Sequence, residues 1–282
     1  ALLFAGTLPA QFGRGGQGLI YIQTARVIPQ GHLRFYTGTR FFGKVANFAS
    51  SGNAYTLWNV KGIASFNYGV NSNLELSVTP VYYQDTNNSS GNAMDGKANV
   101  PDDIFIGMKI GSLRGLESPW VFGGRLQARI PTAETHNIIY EPYSAGTLEI
   151  QVSGLFSYYN NIKFPHAGWS AHANIGYVNH NDVGQELTGN PADPTPTAMS
   201  QELLFGGGFL YPLGTFEVSA ELNARTFLTR PPETAYSREY TSYLTAGIYY
   251  KPYRWITFEM GLDLRLFSGE DVSDYENTDL DI

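Results

Sequence analysis

The sequence predicts an all-β chain: a transmembrane, antiparallel, up-and-down β-barrel of about 12 strands, within roughly 10–14. Three observations predict it. Apolar and polar residues alternate with a period of two in segment after segment. Short turns and long polar stretches take turns between those segments. Aromatic residues gather near the ends of the apolar stripes.

The clearest pair is Trp58 to Tyr83. Trp58, Val60, Gly62, Ala64, Phe66, Tyr68 and Val70 alternate with polar Asn59, Lys61, Ser65 and Asn67. After Asn71-Ser72-Asn73 the pattern restarts, with Leu74, Leu76, Val78, Pro80 and Tyr82 against Glu75, Ser77 and Thr79. That is two antiparallel strands joined by a tight turn. Upstream, Leu33–Phe41 alternates in the same way, and Gly18–Val27 is an additional strand candidate. Downstream, the pattern returns at Ile104–Ile110, Trp120–Ile130, Leu148–Tyr158, Trp169–Tyr177, Leu203–Tyr211, Phe216–Ala224, Tyr240–Tyr250 and Ile256–Leu264. These lengths suit tilted membrane strands.

The connections sort by length. Residues 29–31, 71–73, 115–119, 160–165, 212–214 and 252–254 are short; residues 43–56, 86–101, 133–147, 181–197 and 230–238 are long and polar. One rim of turns and one of loops is the asymmetry of a membrane barrel, and a Greek-key sandwich has no reason for it.

Composition agrees. The chain has 282 residues, enough for one large domain. Its mean hydropathy of −0.20 excludes a bundle of membrane helices. It has no cysteine, hence no disulfide framework, and its charge of −7 argues against a nucleic-acid surface. The oily stripes need a large cover, and no amphipathic helical segment supplies one, so lipid covers them.

In architecture, most of the chain resembles a bacterial outer-membrane β-barrel, of the outer membrane protein A-like or small porin-like kind. The stretch GQGLIYIQTARVIPQGHLRFYTG is similar to the opening of such barrels, where it leads into the first strand. The resemblance implies a Gram-negative outer-membrane location. It also implies lipid and lipopolysaccharide as surroundings, with peptidoglycan or another envelope protein as a further partner. Such barrels end on a strand with a terminal aromatic, whereas this chain ends SGEDVSDYENTDLDI. Counted from His32, the eleventh strand runs outward, and an even count needs either Gly18–Val27 in the wall or a strand beyond Ile282. The expected layout is an N-terminal signal remnant or lumenal segment (1–17), a barrel (18–272) and an acidic tail or outer loop (273–282).

The alternation assigns an aromatic girdle to the outer face: Trp58, Tyr68, Tyr82, Trp120, Tyr158, Trp169, Tyr177, Tyr211, Tyr250 and Trp255. It turns a charge network inward: Arg34, Arg40, Lys61, Glu75, Lys109, Arg125, Arg129, Glu149, Glu202, Glu217, Glu221, Arg225, Lys251, Glu259, Asp263 and Arg265. The signs nearly balance, which reads as a bore filled by pairs such as Arg125 and Arg129 with Glu149. The role expected is structural anchoring or a narrow pore, and the alternative is a diffusion porin for small polar solutes.

A catalytic alternative rests on Ser170, His172 and Asn174, which share one strand face. Some outer-membrane phospholipases use a Ser/His/Asn set. Here the three point inward rather than to lipid, and the order differs, so no enzyme activity is expected. The five histidines lack metal-ligand spacing, the glycine-rich GRGGQG lacks the Lys-Ser/Thr of a phosphate loop, and no cofactor is expected. Gly206-Gly207-Gly208 reads as a bend in a strand, and the acidic residues after Ser268 as a solvated tail.

Overall fold

The computed structural model describes residues 18–47, 54–88, 97–114, 118–134, 136–137, 142–188 and 190–268, with side chains 42–47, 54–58, 84–88, 97–98 and 268 left out. The apolar start, the GRGG segment and the acidic residues Asp271, Asp274, Glu276, Asp279 and Asp281 lie outside the described residues, as does the side chain of Trp58.

The described chain contains twelve strands and no helix. They are β1 (Leu33–Asn47), β2 (Ala54–Gly69), β3 (Leu74–Asn88), β4 (Lys97–Asn99), β5 (Ile104–Leu113) and β6 (Trp120–Ile130). Then come β7 (Glu149–Tyr159), β8 (Ser170–Asn179), β9 (Gln201–Leu213), β10 (Phe216–Thr229), β11 (Thr241–Tyr253) and β12 (Ile256–Ser268). Each long strand pairs antiparallel with its neighbours in sequence order, and the three-residue β4 adds to β3. Local pairing follows from the short turns. Between β9 and β10, for example, Gly214 takes a left-handed φ of +69° that a two-residue hairpin requires.

The sheet curls until its first and last strands face each other. β1 and β12 share no backbone ladder among the described residues. Side chains bridge them instead: Tyr36 donates to Glu259 at 3.0 Å, and Arg40 lies 3.9 Å from Asp263.

Burial is inverted relative to a water-soluble protein. Outward residues such as Phe66, Leu126, Val152, Ile175, Leu222 and Met260 are exposed, while Glu75, Lys109, Gln127, Glu221 and Asn223 are almost wholly buried. A period-two strand with its polar side in and its apolar side out fits a barrel whose solvent is lipid. Trp120, Tyr158, Trp169 and Phe209 make a run of touching rings near the short-turn rim, with centroids 5.0, 5.2 and 5.5 Å apart.

Of the two routes to an even strand count, the one that places Gly18–Val27 in the wall is not the one seen. Gly18–Val27 is not a wall strand: Leu19–Ile28 is buried inside the curled sheet, except for half-buried Arg26. Its backbone pairing includes one isolated bridge, Gly18 with Gln23, and one bond from the wall, Ser112 N–H to the Ala25 carbonyl at 2.7 Å. Gly206–Gly208 brings no irregularity, since β9 stays in register with β10 through it.

The lipid-facing assignment makes a prediction. Val152→Arg, on the outward face near the middle of β7, should cost about 2–4 kcal/mol of folding stability in lipid. Reversible denaturant titration in liposomes measures it, and a cost near zero would show that this face does not meet hydrocarbon.

Candidate functional site

The site is the bore, which is filled at two levels. At the short-turn half it is filled by main chain. The N–H groups of Ile20, Tyr21 and Ile22 all donate to the Glu221 carboxylate on β10, at 2.8, 2.7 and 2.9 Å. Asn174 on β8 accepts from Gln23 N–H at 2.8 Å and donates back to its carbonyl at 2.9 Å. Ser157 on β7 accepts from Ala25 N–H at 2.8 Å. Ser112 on β5 takes Val27 N–H, and Glu75 on β3 takes Ile28 N–H. The segment therefore crosses the bore from β10 to β3, held by inward side chains at seven of its N–H groups and by the Ser112 main-chain N–H at the Ala25 carbonyl. A carboxylate with three N–H donors forms the strongest of these contacts.

The wall is shaped for this segment. A Cβ added at Gly208 would sit 3.0 Å from Leu19 and 3.3 Å from Ile22; at Gly247 it would sit 2.8 Å from Ile20. At Gly69 and Gly111 it would collide with the carbonyls of Ile28, Pro29 and Ala25. Glycine is required there by close backbone approach. Tyr21 also reaches the seam, donating to Asp263 on β12 while Arg40 of β1 stacks 4.1 Å from its ring.

At the long-loop half the filling is charged and aromatic. Arg129 pairs with Asp103 and lies 3.5 Å from Glu149. His180, one residue beyond β8, lies 3.2 Å from Glu149 and 3.6 Å from Glu202. Arg225 lies 3.6 Å from Glu202 and 4.0 Å from Glu239, and donates to the Ser237 carbonyl. Tyr143, from the loop between β6 and β7, packs edge-on to His180 and Phe227 and donates to Asp182. Asn137 and Tyr236 tie that loop to the one between β10 and β11. A cavity of about 40 Å³ remains beneath, between Gln127, Gln151, Arg129, Glu202 and Tyr143.

Three loop groups show what the pairing does electrically. Burial raises the Asp103 carboxyl, but Arg129 outweighs burial and leaves it below the usual carboxylate range. Burial, then Asp182, pushes the Tyr143 hydroxyl far up, so it stays a donor. Burial lowers the His180 imidazolium, but Glu149 and Glu202 win and hold its pKa at about 9.

The sequence-assigned inward residues divide. Lys61, Glu75, Lys109, Arg125, Arg129, Glu149, Glu202, Glu217, Glu221 and Arg225 are buried. Arg40, Lys251, Glu259, Asp263 and Arg265 are half-buried, and Arg34 is exposed beside the short-turn rim. Lys251 pairs with Glu217. One expected pairing is corrected: only Arg129 reaches Glu149, whereas Arg125 lies four residues deeper and donates to Ser77 at 3.5 Å. Side chains on one strand face rise about 7 Å per two residues, so both arginines cannot reach one carboxylate. Asp103, Tyr143, Asp182, His180 and Glu239 were not in the sequence-assigned set, because all five lie outside the alternating strands.

Among the outer-face aromatics, Tyr68, Tyr82, Trp120, Tyr211, Tyr250 and Trp255 are exposed, and Tyr158, Trp169 and Tyr177 are half-buried among neighbours. Ser170, His172 and Asn174 do share the inner face. His172 bonds Ser157 at 2.8 Å with one ring nitrogen and Ser170 at 2.9 Å with the other. Asn174 is engaged with Gln23 instead.

No family model matches the chain, and no curated protein matches it. Among solved structures, it is similar to the crystal structure of an outer membrane channel from Pseudomonas putida F1. The TM-score is 0.56 at 13% identity, covering 86% of this chain and 91% of that one. At this identity the likeness is one of fold.

The His180 geometry carries a pH prediction. An unfolded histidine titrates near 6.5, and here the folded value is raised to about 9. The cluster's stabilisation is then complete below about 6.5 and lost as pH rises through about 9. Thermal unfolding in detergent should show a fall in Tm across that window, and His180→Gln should lack that fall. Identical pH profiles for the two proteins would remove His180 from the cluster's energetics.

Proposed function

We propose that this protein is a porin-like channel of the bacterial outer membrane, closed at rest by its own N-terminal segment. The observation that carries the reading is the bond set of Leu19–Ile28. An anchor needs no such device, because a solid barrel can fill its interior with side chains alone. Here wall glycines clear a path, and acceptors on five strands hold a separate stretch of main chain. A segment held by hydrogen bonds rather than by the sheet ladder can leave without unfolding the wall.

The fold shared with an outer membrane channel supports this reading, as do the exposed apolar faces. Outer-membrane lipid and lipopolysaccharide are the surroundings it calls for. Catalysis has no part in it. His172 has a serine on each ring nitrogen, so no carboxylate orients it, and the whole set faces the bore.

Planar-bilayer recording tests the reading. Wild-type protein should show small, intermittent conductance. Glu221→Ala removes the acceptor of three N–H groups and should raise open probability severalfold, since each lost bond is worth about 1 kcal/mol or more. A large, steady wild-type conductance, unchanged in Glu221→Ala, would mean a water-filled diffusion porin in which the segment closes nothing. Silence in both would favour an anchoring role.

A further inference from the structure

Between the loop cluster and the N-terminal segment the bore keeps some open space. The cavity there measures about 40 Å³, and Gln127 on β6 lines its polar side. One water needs roughly 10–15 Å³ of such space, so about three waters fit, or one solute of about four non-hydrogen atoms.

Gln127 is only 2% exposed, yet its Oε1 meets no hydrogen-bond donor among the described residues. Its ladder neighbours do not supply one. Gly107 on one side has no side chain, and Gln151 on the other turns its amide to Ser153 at 3.0 Å. A buried acceptor left unmatched is costly, so a donor belongs in the cavity.

The rest of the wall says what kind of donor. Arg129, Glu149, His180, Glu202 and Arg225 follow one another with alternating sign, at 3.5, 3.2, 3.6 and 3.6 Å. An ion drawn to any one of them meets a like charge at the next, and to pair with it must break a buried pair. These contacts are longer than the roughly 2.7–2.9 Å of a tight charge-assisted bond, so their N–H groups can also donate to a guest. The remaining wall is apolar, with buried Val178 and Leu204 and the rings of Phe105 and Tyr143. Water against those side chains finds no polar partner to hold it. A guest with one apolar end and one end that both donates and accepts matches the whole lining.

We propose that this cavity binds one small uncharged solute of the short primary-amide class. Its amino group donates to Gln127 Oε1, its carbonyl accepts from the charged arc, and its alkyl end rests on Val178 and Leu204. In the open bore the site is a stopping point for such a solute. That placement rests on the channel reading; the binding does not.

The test uses the full-length chain in detergent and three probes of one shape: acetamide, anionic acetate and cationic acetamidinium. Saturation-transfer NMR should show acetamide binding saturably, with neither ion competing. Gln127→Leu should weaken that binding about fivefold or more, the worth of one hydrogen bond. It should leave Tm unchanged or higher, because it removes an unmatched acceptor. A lower Tm with acetamide binding intact would make Gln127 structural and overturn the site. So would competition by either ion, or no binding by any of the three probes. The three probes on wild type decide the matter even if Gln127→Leu does not fold. In planar bilayers, acetamide should lower the potassium chloride conductance over the same concentration range. Binding without any conductance would uphold the site and reject the channel. Conductance without acetamide binding would overturn the site and leave the channel standing. Binding beside a conductance that acetamide leaves unchanged would overturn its place on the permeation path.

Discussion

A polar interior that excludes water must satisfy its own hydrogen bonds and charges. That constraint governs the rest of this molecule. Strands with apolar faces turned to lipid carry their polar side chains inward, and eleven long strands bring dozens of donors and acceptors into one narrow bore. An unmatched buried N–H or carbonyl costs about 1–3 kcal/mol, and an unmatched charge costs more. The two halves of the bore meet this demand differently. The short-turn half uses the main chain of Leu19–Ile28, and the long-loop half uses ion pairs backed by aromatic rings.

The two solutions have different mechanical consequences. A main-chain segment bound to Glu221, Asn174, Ser157, Ser112 and Glu75 is replaceable, because water can take over every one of those bonds once it enters. The wall beneath it would remain, since its ladder is separate. The outer cluster is woven into the loops: Arg129 reaches Asp103, Arg225 reaches Glu239, and Tyr143 seals against His180. Opening there requires loops to move together, a slower and more collective event. Tyr21 adds a link between segment and wall, since it contacts both Arg40 and Asp263 across the seam of the sheet.

Much of this was legible in the sequence because strand alternation is local. Two residues settle a side chain's direction, so the inward positions of Glu75, Lys109, Arg129, Glu149, Glu202 and Arg225 follow from pattern alone. Partner choice is not local. His180 meets Glu149 and Glu202 from strands on either side of it, and Asp103 reaches Arg129 from a connection, so no spacing rule could pair them. The place of the N-terminal segment stayed open in the sequence for a physical reason. Leu19-Ile20-Tyr21-Ile22 has the composition of a wall strand, and propensity cannot tell lipid contact from enclosure by other strands. The available signal lay elsewhere, in glycines at inward positions such as Gly69, Gly111 and Gly247. Wall positions without side chains imply something else filling the bore.

The most direct test locks the segment in place. The chain has no cysteine, so a single pair can be added cleanly. Ala25 N–H sits 2.8 Å from Ser157 Oγ, which makes Ala25→Cys with Ser157→Cys a near-isosteric pair at a close approach. Single-channel recording of this variant, oxidised and then reduced in the same bilayer, measures whether the segment gates the bore. No openings while oxidised and restored openings after reduction are predicted. Equal conductance in both states, with the disulfide verified by mass, would contradict the account.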